Sequence, residues 1–433
     1  MMEELKKYKL GEICKITSSK RIFEKEYVDG GIPFIRGQEI SDGSIANPSS
    51  EFLCYISPER YEELKKNYGV PKKNDILITA VGTIGNTYLV EDNKKFYFKD
   101  GNIIWFKNIK KEVYPLYLLF FMKSPFFNQQ IEYSLIGAVQ KALTIVMLSK
   151  IEISLPSLAT QRKIATVLSN IDRKISVNRE INRNLEELAK QIYDYWFVQF
   201  DFPNEDGKPY KSSGGKMVWD ELLKREIPAG WEAGILSDIA YITMGQSPDG
   251  SSYNETGVGI IFYQGSTDFG IRFPTIRVYT TSPKRFAKKG DILMSVRAPV
   301  GILNIANHDC CIGRGLAALK SKVASMVHLW FTMEVFKQRF EGKNLSGTTF
   351  GAITKDELFS LPVVVPPKEL LLMFNKKTLS IFNNQLSIGA EIDKLTSLRN
   401  TLLPLLMNGQ VTLNSCFSEQ SISGKRLQNL LQI

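Results

Sequence analysis

Histidine and cysteine are scarce in this chain of 433 residues, which has two histidines (His308 and His328) and five cysteines (Cys14, Cys54, Cys310, Cys311 and Cys416). No two cysteines stand in C-x-x-C spacing, so no zinc ribbon is indicated, and the odd, irregular set is no disulfide framework. A reducing compartment fits that usage. Two histidines exclude a multi-histidine metal site, and both read as structural. The longest apolar run, Val113 to Met122, is far short of the roughly 20 residues that span a bilayer. The N-terminal MMEELKKYKLGEICK has no apolar stretch after its charges, so the expected location is cytoplasmic.

What the chain has is positive charge. Lysine and arginine number 55 against 45 acids, a net charge of +10 and an isoelectric point near 9.1, with no tail concentrating the excess. A broad basic bias suits a polyanion held along an extended surface. At roughly 150 residues per domain, the length predicts two or three domains.

Sliding the chain against itself reveals a long-period repeat. NDILITAVGTIG at 74–85 aligns with GDILMSVRAPVG at 290–301, placing Asp75 on Asp291, Leu77 on Leu293 and Gly85 on Gly301 at an offset of 216 residues. GIPFIRG at 31–37 aligns with GIIFYQG at 259–265, Gly137 with Gly347, and Pro156 with Pro366. The landmarks keep their order while the offset drifts from 228 to 210, so the loops between them differ in length. In each copy, β-branched and aromatic runs punctuated by glycine (ILITAVG and TYLV, then DILMSVR and GILNIA) predict strands. A helical stretch follows, about 115–132 and 326–340. Leu119, Phe120, Phe127 and Ile131 form the apolar face of the first and read as core, not as a base-stacking platform. Each copy closes on a strand ending in proline.

After Pro156 come about forty residues without glycine or proline, with a sustained 3.5-residue period that predicts one long helix. Its seam is Ile164, Leu168, Ile171, Ile175, Asn178, Asn182, Leu185, Ala189, Ile192 and Trp196, with the two asparagines as register devices. From about Lys368 a second helix repeats the spacing with Phe374, Ile381, Ile388, Ile392, Leu395, Leu402 and Leu406. Thr378, Gln385 and Arg399 weaken that seam. The two helices are expected to pair. Between the first helix and the second repeat, a stretch rich in Gly, Pro, Ser and charge reads as a surface linker that re-enters structure near Trp231.

The run SSGGKMVWDELLKREIPAGWE at 212–232 closely resembles the inter-repeat segment of specificity subunits of type I restriction-modification enzymes. LPSLATQRKIATVLSNIDRKI at the first helix resembles the start of their spacer helices, and the duplicated plan extends the likeness over nearly the whole chain. The second helix departs from the pattern, with PPKELLLMFNKK and no Gln-Arg opening. The resemblance implies an α+β protein with two tandem mixed α/β target-recognition domains set apart by two long antiparallel, coiled-coil-like helices in a pseudo-two-fold internal repeat. On that plan, 1–157 is the first recognition domain, 158–200 the first spacer helix and 201–230 the linker. The second recognition domain is 231–366, the second spacer helix 367–410 and the C-terminal tail 411–433. The implied partners are double-stranded DNA, two methylation subunits that carry the S-adenosylmethionine, and restriction/translocase subunits through the assembled complex. This chain itself binds no cofactor on that reading.

The motifs of an enzyme are missing. A self-sufficient adenine methyltransferase needs a D/N-P-P-Y/F loop, and the nearest strings, Asn47-Pro48-Ser49-Ser50 and Asp201-Phe202-Pro203-Asn204, lack the double proline and the aromatic. Gly-Gly-Lys at 214–216 lacks the spaced glycine and the Ser/Thr of a phosphate loop. Asp75 and Asp291 begin strands after Asn74 and Gly290, where turn chemistry accounts for them. The expectation is no catalytic residue and no metal site.

Base readout needs hydrogen-bonding side chains at groove depth, and loops flanked by glycine are the places that can present them. The DNA-binding candidates are Lys20, Arg21, Gln38, Thr83, Gln140 and Lys141 in the first repeat, and Gln246, Ser266, Arg297, Arg314, Thr348 and Thr349 in the second. Equivalent loops differ in sequence, AVGTIG against VRAPVG, as readers of two unlike half-sites would. The expected function is recognition of an asymmetric bipartite DNA target. The competing reading is a structural or protein-binding tandem-repeat scaffold.

Overall fold

The computed structural model describes residues 5–41, 43, 45, 54–92, 94–135, 142–323, 325–345 and 351–411. The chain divides into two units, one of Met1–Lys174 with Leu395–Ile433, the other of Ile175–Lys394.

In the first unit, a four-stranded sheet runs in the order Lys15–Thr17, Ile103–Lys107, Ile76–Thr79, Thr87–Leu89. All four residues of Ile76–Thr79 are buried, which is why its sequence is a continuous apolar run and not an alternation. A second sheet orders Tyr27–Val28, Cys54–Ile56, Ile32–Ile35 and Tyr97–Phe98, with the last two parallel. Lys6–Lys9 pairs with Glu152–Leu155. Leu77, Phe98, Ile103 and Trp105 fill one cluster, and Phe34, Ile56 and Tyr97 another.

The second unit repeats this strand order by itself. Ala240–Met244, Leu316–Ser321, Ile292–Ser295 and Leu303–Ile305 form its four-stranded sheet, with Ile292–Ser295 fully buried at the centre. Ile76 faces Leu89 in the first unit, and Ile292 faces Ile305 in the second. The second sheet contains the parallel pair Ile260–Tyr263 and Cys310–Ile312, flanked by Val278–Thr280 and Phe286–Ala287, with Tyr253–Asn254 at the edge. Glu232–Ile235 pairs with Pro362–Val365.

Turn chemistry is repeated as well. Asn74 and Gly290 hold φ of 76° and 92°, the left-handed region that asparagine and glycine tolerate. The carboxylates that follow close the turns, Asp75 accepting from Lys72 N–H and Trp105 Nε1, both at 2.9 Å, and Asp291 from Lys288 N–H at 2.8 Å. Burial raises the pKa of both acids. The expectation that these acids serve turns matches the geometry.

Helices cover Pro115–Met122 and Pro125–Leu135 in the first unit and Met326–Leu345 in the second. Phe120 and Phe127 are core residues, as their periodicity predicts. The long helices are Leu158–Tyr193, continued by a π-turn at Asp194–Val198, and Lys368–Met407. Ser157 caps the first, its Oγ accepting from Thr160 N–H at 3.3 Å. Gln161, in the segment that resembles the spacer-helix start, is buried. It accepts from Tyr114 N–H at 2.8 Å and donates to Glu112 O and Pro156 O, both at 3.0 Å. Aligning Pro156 with Pro366 puts Leu371 at that place in the second helix, where it is buried without a polar partner to satisfy.

Ile164, Leu168, Ile171, Ile175, Asn178, Asn182, Phe374, Ile392 and Leu402 of the expected seam are buried. Leu185, Ile192, Ile381, Ile388 and Leu395 are half-exposed, because a two-helix seam leaves its flanks open. Thr378 and Gln385 are buried within the seam, each with a hydrogen-bond partner. Thr378 Oγ1 donates to Phe374 O at 2.9 Å, and Gln385 Nε2 donates to Asn182 O at 3.4 Å and Glu186 Oε2 at 3.3 Å. Arg399 pairs with Asp172 at 3.1 Å in the first unit. Within the second unit Asn178 meets Glu391, Asn182 meets Gln385 and Trp196 meets Phe374, so the helices there run antiparallel.

The 201–230 segment lies mostly at the surface, but regular structure resumes well before Trp231. It carries the hairpin Met217–Asp220/Arg225–Pro228, and Phe202 and Ile227 join the core, with Phe202 stacked between Tyr210 and Trp231. Composition misses such anchors. His328 is wholly enclosed beside Phe197 and Tyr193, so burial pushes its pKa down to about 3. That is a structural role, as expected for it. No helix among the described residues is long and apolar enough to cross a membrane.

Candidate nucleic-acid interface

In each unit, four loops leave the two sheets from one end and are tied together by hydrogen bonds to main-chain carbonyls. In the first unit Lys99 N–H donates to Ile35 O (2.8 Å), Ala80 N–H to Asn102 O (2.7 Å) and Ser19 Oγ to Phe98 O (2.6 Å). In the second, Gly313 N–H donates to Tyr263 O (2.8 Å), Gln246 N–H to Ile312 O (3.0 Å) and Val296 N–H to Gly315 O (2.9 Å). The turn between the central and outer strands is closed by corresponding hydrogen bonds in both. Ser295 Oγ donates to Pro299 O and accepts from Ile302 N–H at 2.9 Å, and Thr79 makes the corresponding bonds to Thr83 O and Asn86 N–H. Main-chain groups and buried hydroxyls hold the scaffold, which leaves the loop side chains to differ.

Differ they do. Lys20 and Arg21 follow the strand Lys15–Thr17 and are exposed; Lys20 Nζ lies 5.4 Å from the Tyr68 ring centroid and Arg21 pairs with Asp100 at 2.9 Å. Gln38 is exposed on the short helix Gly37–Ser41, whose Ser41 hydroxyl meets that of exposed Thr83 at 2.8 Å. In the second unit exposed Gln246 follows Ala240–Met244, exposed Arg314 sits between Gly313 and Gly315, and half-buried Ser266 opens a short turn. Arg297 is exposed beside a bridge to Ala352. The structure thus gathers Lys20, Arg21, Gln38 and Thr83 on one loop cluster, and Gln246, Ser266, Arg297 and Arg314 on the other. Gln140, Lys141, Thr348 and Thr349 lie outside the described residues.

Residues 2–187 and 228–396 match the family described as type I restriction modification DNA specificity domain. The chain belongs to this family. It is 31% identical to a Methanocaldococcus jannaschii protein described as the specificity subunit of type I restriction enzyme MjaX, across 94% of this chain and 97% of that one. It is 24% identical to the HindI specificity subunit of Haemophilus influenzae, across 95% of this chain and 100% of that one. The crystal structure of the type I restriction-modification system S subunit from M. genitalium shares the fold, with a TM-score of 0.58 at 15% identity over 94% of this chain and 96% of that one. Type I specificity subunits are non-catalytic DNA-recognition subunits, and so is this one.

Three further features of this specificity subunit escaped sequence reasoning. Arg36 and Gln264 occupy one aligned position, in GIPFIRG and GIIFYQG, immediately after the first parallel strand of each unit. Arg36 is forked onto Glu39, whose side chain is 4% exposed. In the second unit a buried acid stands in the corresponding short turn, Asp268, and braces Arg277. The aligned position was in plain view; the acid and the distant Arg277 needed the fold. No cluster of three or more potential metal ligands occurs among the described residues.

Proposed function

We propose that this specificity subunit recognises an asymmetric bipartite DNA target, with residues 1–157 reading one half-site and 231–366 the other. The helices of 158–200 and 367–410 set the unspecified spacer in a pseudo-two-fold arrangement. The subunit directs two methylation subunits to that target and, through the assembled complex, the restriction/translocase subunits. S-adenosylmethionine binds to the methylation subunits and not to this chain, and the complex works in the cytoplasm. Lys20, Arg21, Gln38, Thr83, Gln140 and Lys141 contact one half-site, and Gln246, Ser266, Arg297, Arg314, Thr348 and Thr349 the other.

The observation that carries this reading is the presence of two sheets of one strand order whose clustered loops carry unlike side chains, such as Lys20 against Gln246 and Arg36 against Gln264. Shared scaffolds with unlike reading groups recognise unlike sequences. A net charge of +10 supplies the sequence-independent phosphate attraction. The test is methylation-sensitive sequencing of the host genome with and without this gene. The expected result is a gene-dependent motif of two short, different segments around unspecified base pairs, with N6-methyladenine on opposite strands. A continuous palindrome, or no gene-dependent motif, refutes the proposal.

A further inference from the structure

In the second unit a cleft of about 440 Å³ opens beside the gathered loops, lined by Ser247, Tyr253, Gln264, Asp268, Arg277 and Arg314 among others. Its polar groups are held in place. The Asp268 side chain is 6% exposed while that of Arg277 is 56% exposed, and the guanidinium engages one carboxylate oxygen through both Nε and Nη2. A buried carboxylate is costly unless it is paired. This pairing holds a planar donor fork at the mouth of the cleft, where Lys would offer only a point charge.

Gln264 is fixed by other means. A Cβ on Gly313 would lie 2.9 Å from Gln264 Oε1, and one on Gly245 would lie 2.1 Å from Gly313 O, so only glycine lets these loops close around the carboxamide. The Ser247 hydroxyl sits 3.2 Å from Gln264 Oε1 and 3.1 Å from Nε2, and accepts from Arg314 N–H at 3.2 Å. A single hydroxyl, able both to donate and to accept, thus occupies the edge of the carboxamide that carries one acceptor and one donor, and a base read by that edge would take the hydroxyl's place. The N6/N7 edge of adenine presents that same donor and acceptor pattern to glutamine, and the O6/N7 edge of guanine presents two acceptors to arginine.

We propose that Arg277 and Gln264 are base-reading residues of the second recognition domain, Arg277 for a guanine and Gln264 for an adenine of one half-site, with Asp268 as the positioning residue of Arg277 and the Ser247 hydroxyl standing where the adenine edge would bind. This rests on the reading of the chain as a DNA-specificity subunit and names the groups that carry it. The wild-type motif must then contain a guanine and an adenine in the same half-site.

The test is the methylated motif, and the DNA affinity, of complexes assembled from the full chain and its methylation subunits. Arg277→Ala should relax the guanine alone and Gln264→Ala the adenine alone, each by roughly 5- to 150-fold in discrimination, with the other half-site untouched. Asp268→Asn should weaken the guanine preference in the same position, which a merely stabilising acid would not do. Should Arg277→Ala fail to assemble, Arg277→Lys keeps the charge and loses the fork, and is expected to relax the guanine with no change in salt dependence. If instead Arg277→Ala weakens binding to every sequence alike, lowers the salt slope by about one and leaves the motif intact, Arg277 is a phosphate contact and the inference falls. A wild-type motif without guanine and adenine in one half-site overturns the inference while the bipartite function stands. Absence of any gene-dependent motif overturns both.

Discussion

Glu186 on the first long helix collects three donors from three other segments of the second unit. Arg272 Nη2 binds its Oε2, Trp330 Nε1 lies 3.2 Å from Oε1, and Gln385 Nε2 lies 3.3 Å from Oε2. The Arg272 side chain is 4% exposed and its guanidinium lies 4.6 Å from the Trp330 ring centroid. Burial lowers its pKa, against which the Glu186 charge acts. The two ends of this ion pair are therefore not equivalent. Glu186→Gln keeps the shape but removes the hydrogen-bonded counter-charge of a buried cation, leaving only the weaker field of Glu334, and losing one partner of a fully buried pair costs about 3–5 kcal/mol. The Glu186 side chain is 36% exposed, so water screens part of the loss and the expected cost is at the low end, about 3 kcal/mol. Arg272→Met removes the cation that burial penalises, together with Nη1, which has no hydrogen-bond partner among the described residues. It keeps an apolar stem over Trp330 and leaves a carboxylate that water reaches, so about 1 kcal/mol is expected. The double variant should be more stable than Glu186→Gln alone. Trp196, Trp219, Trp231 and Trp330 belong to the second unit and Trp105 to the first, so urea unfolding followed by tryptophan fluorescence reports mainly on the unit concerned. If Arg272→Met costs as much as Glu186→Gln, or the double variant is the least stable of the three, burial does not govern this pair and the reasoning is wrong.

Two further outcomes are expected. His328 has a folded pKa of about 3 against an unfolded value near 6.5, so the unfolded chain binds the extra proton and stability falls as pH drops below 6.5. Between pH 6.5 and 5 the wild type should lose about 2 kcal/mol relative to His328→Phe, and equal pH dependence of the two in urea titrations would refute the assignment. On the helix seam, Asn182 Oδ1 is buried with no hydrogen-bond partner among the described residues, whereas Asn178 Nδ2 donates to Glu391 Oε2 at 2.8 Å. Asn182→Leu should therefore stabilise by about 1 kcal/mol and Asn178→Leu should not, with unfolding midpoints as the measure and equal effects as the refuting result.

Much of the scaffold was legible because it rests on local rules. Continuous apolar runs marked the buried central strands, Asn74 and Gly290 before Asp75 and Asp291 marked the turns, and a 3.5-residue period marked the long helices. What the heptad pattern could not show is which partners satisfy the polar side chains of the seam. Thr378 is satisfied by the carbonyl one turn back, and Gln385 by groups on the other helix, about 200 positions away in sequence. Hydrophobic periodicity counts apolar positions and is blind to partners. In the 201–230 stretch the early return of structure was hidden for a related reason, since its average composition is that of a linker while Phe202 and Ile227 fasten it to the core.

The reading groups were hardest to see because their assignment depends on which hydrogen-bonding groups the fold has already used. Thr79 and Ser295 look as suited to a base edge as any hydroxyl, yet both are consumed in closing the same turn. Arg277 looks like any surface arginine until Asp268, nine positions earlier, is seen to be buried beneath it. The distinction is physical: a group satisfied inside the scaffold can be shared by both repeats without affecting what either recognises. A group held rigidly but left exposed can change from one repeat to the other without disturbing the fold. Arg36 and Gln264 stand at one aligned position, after strands of one topology, with different side chains. Two copies of a scaffold can therefore diverge in what they read while keeping how they fold, and the exposed, braced positions are where that divergence must lie.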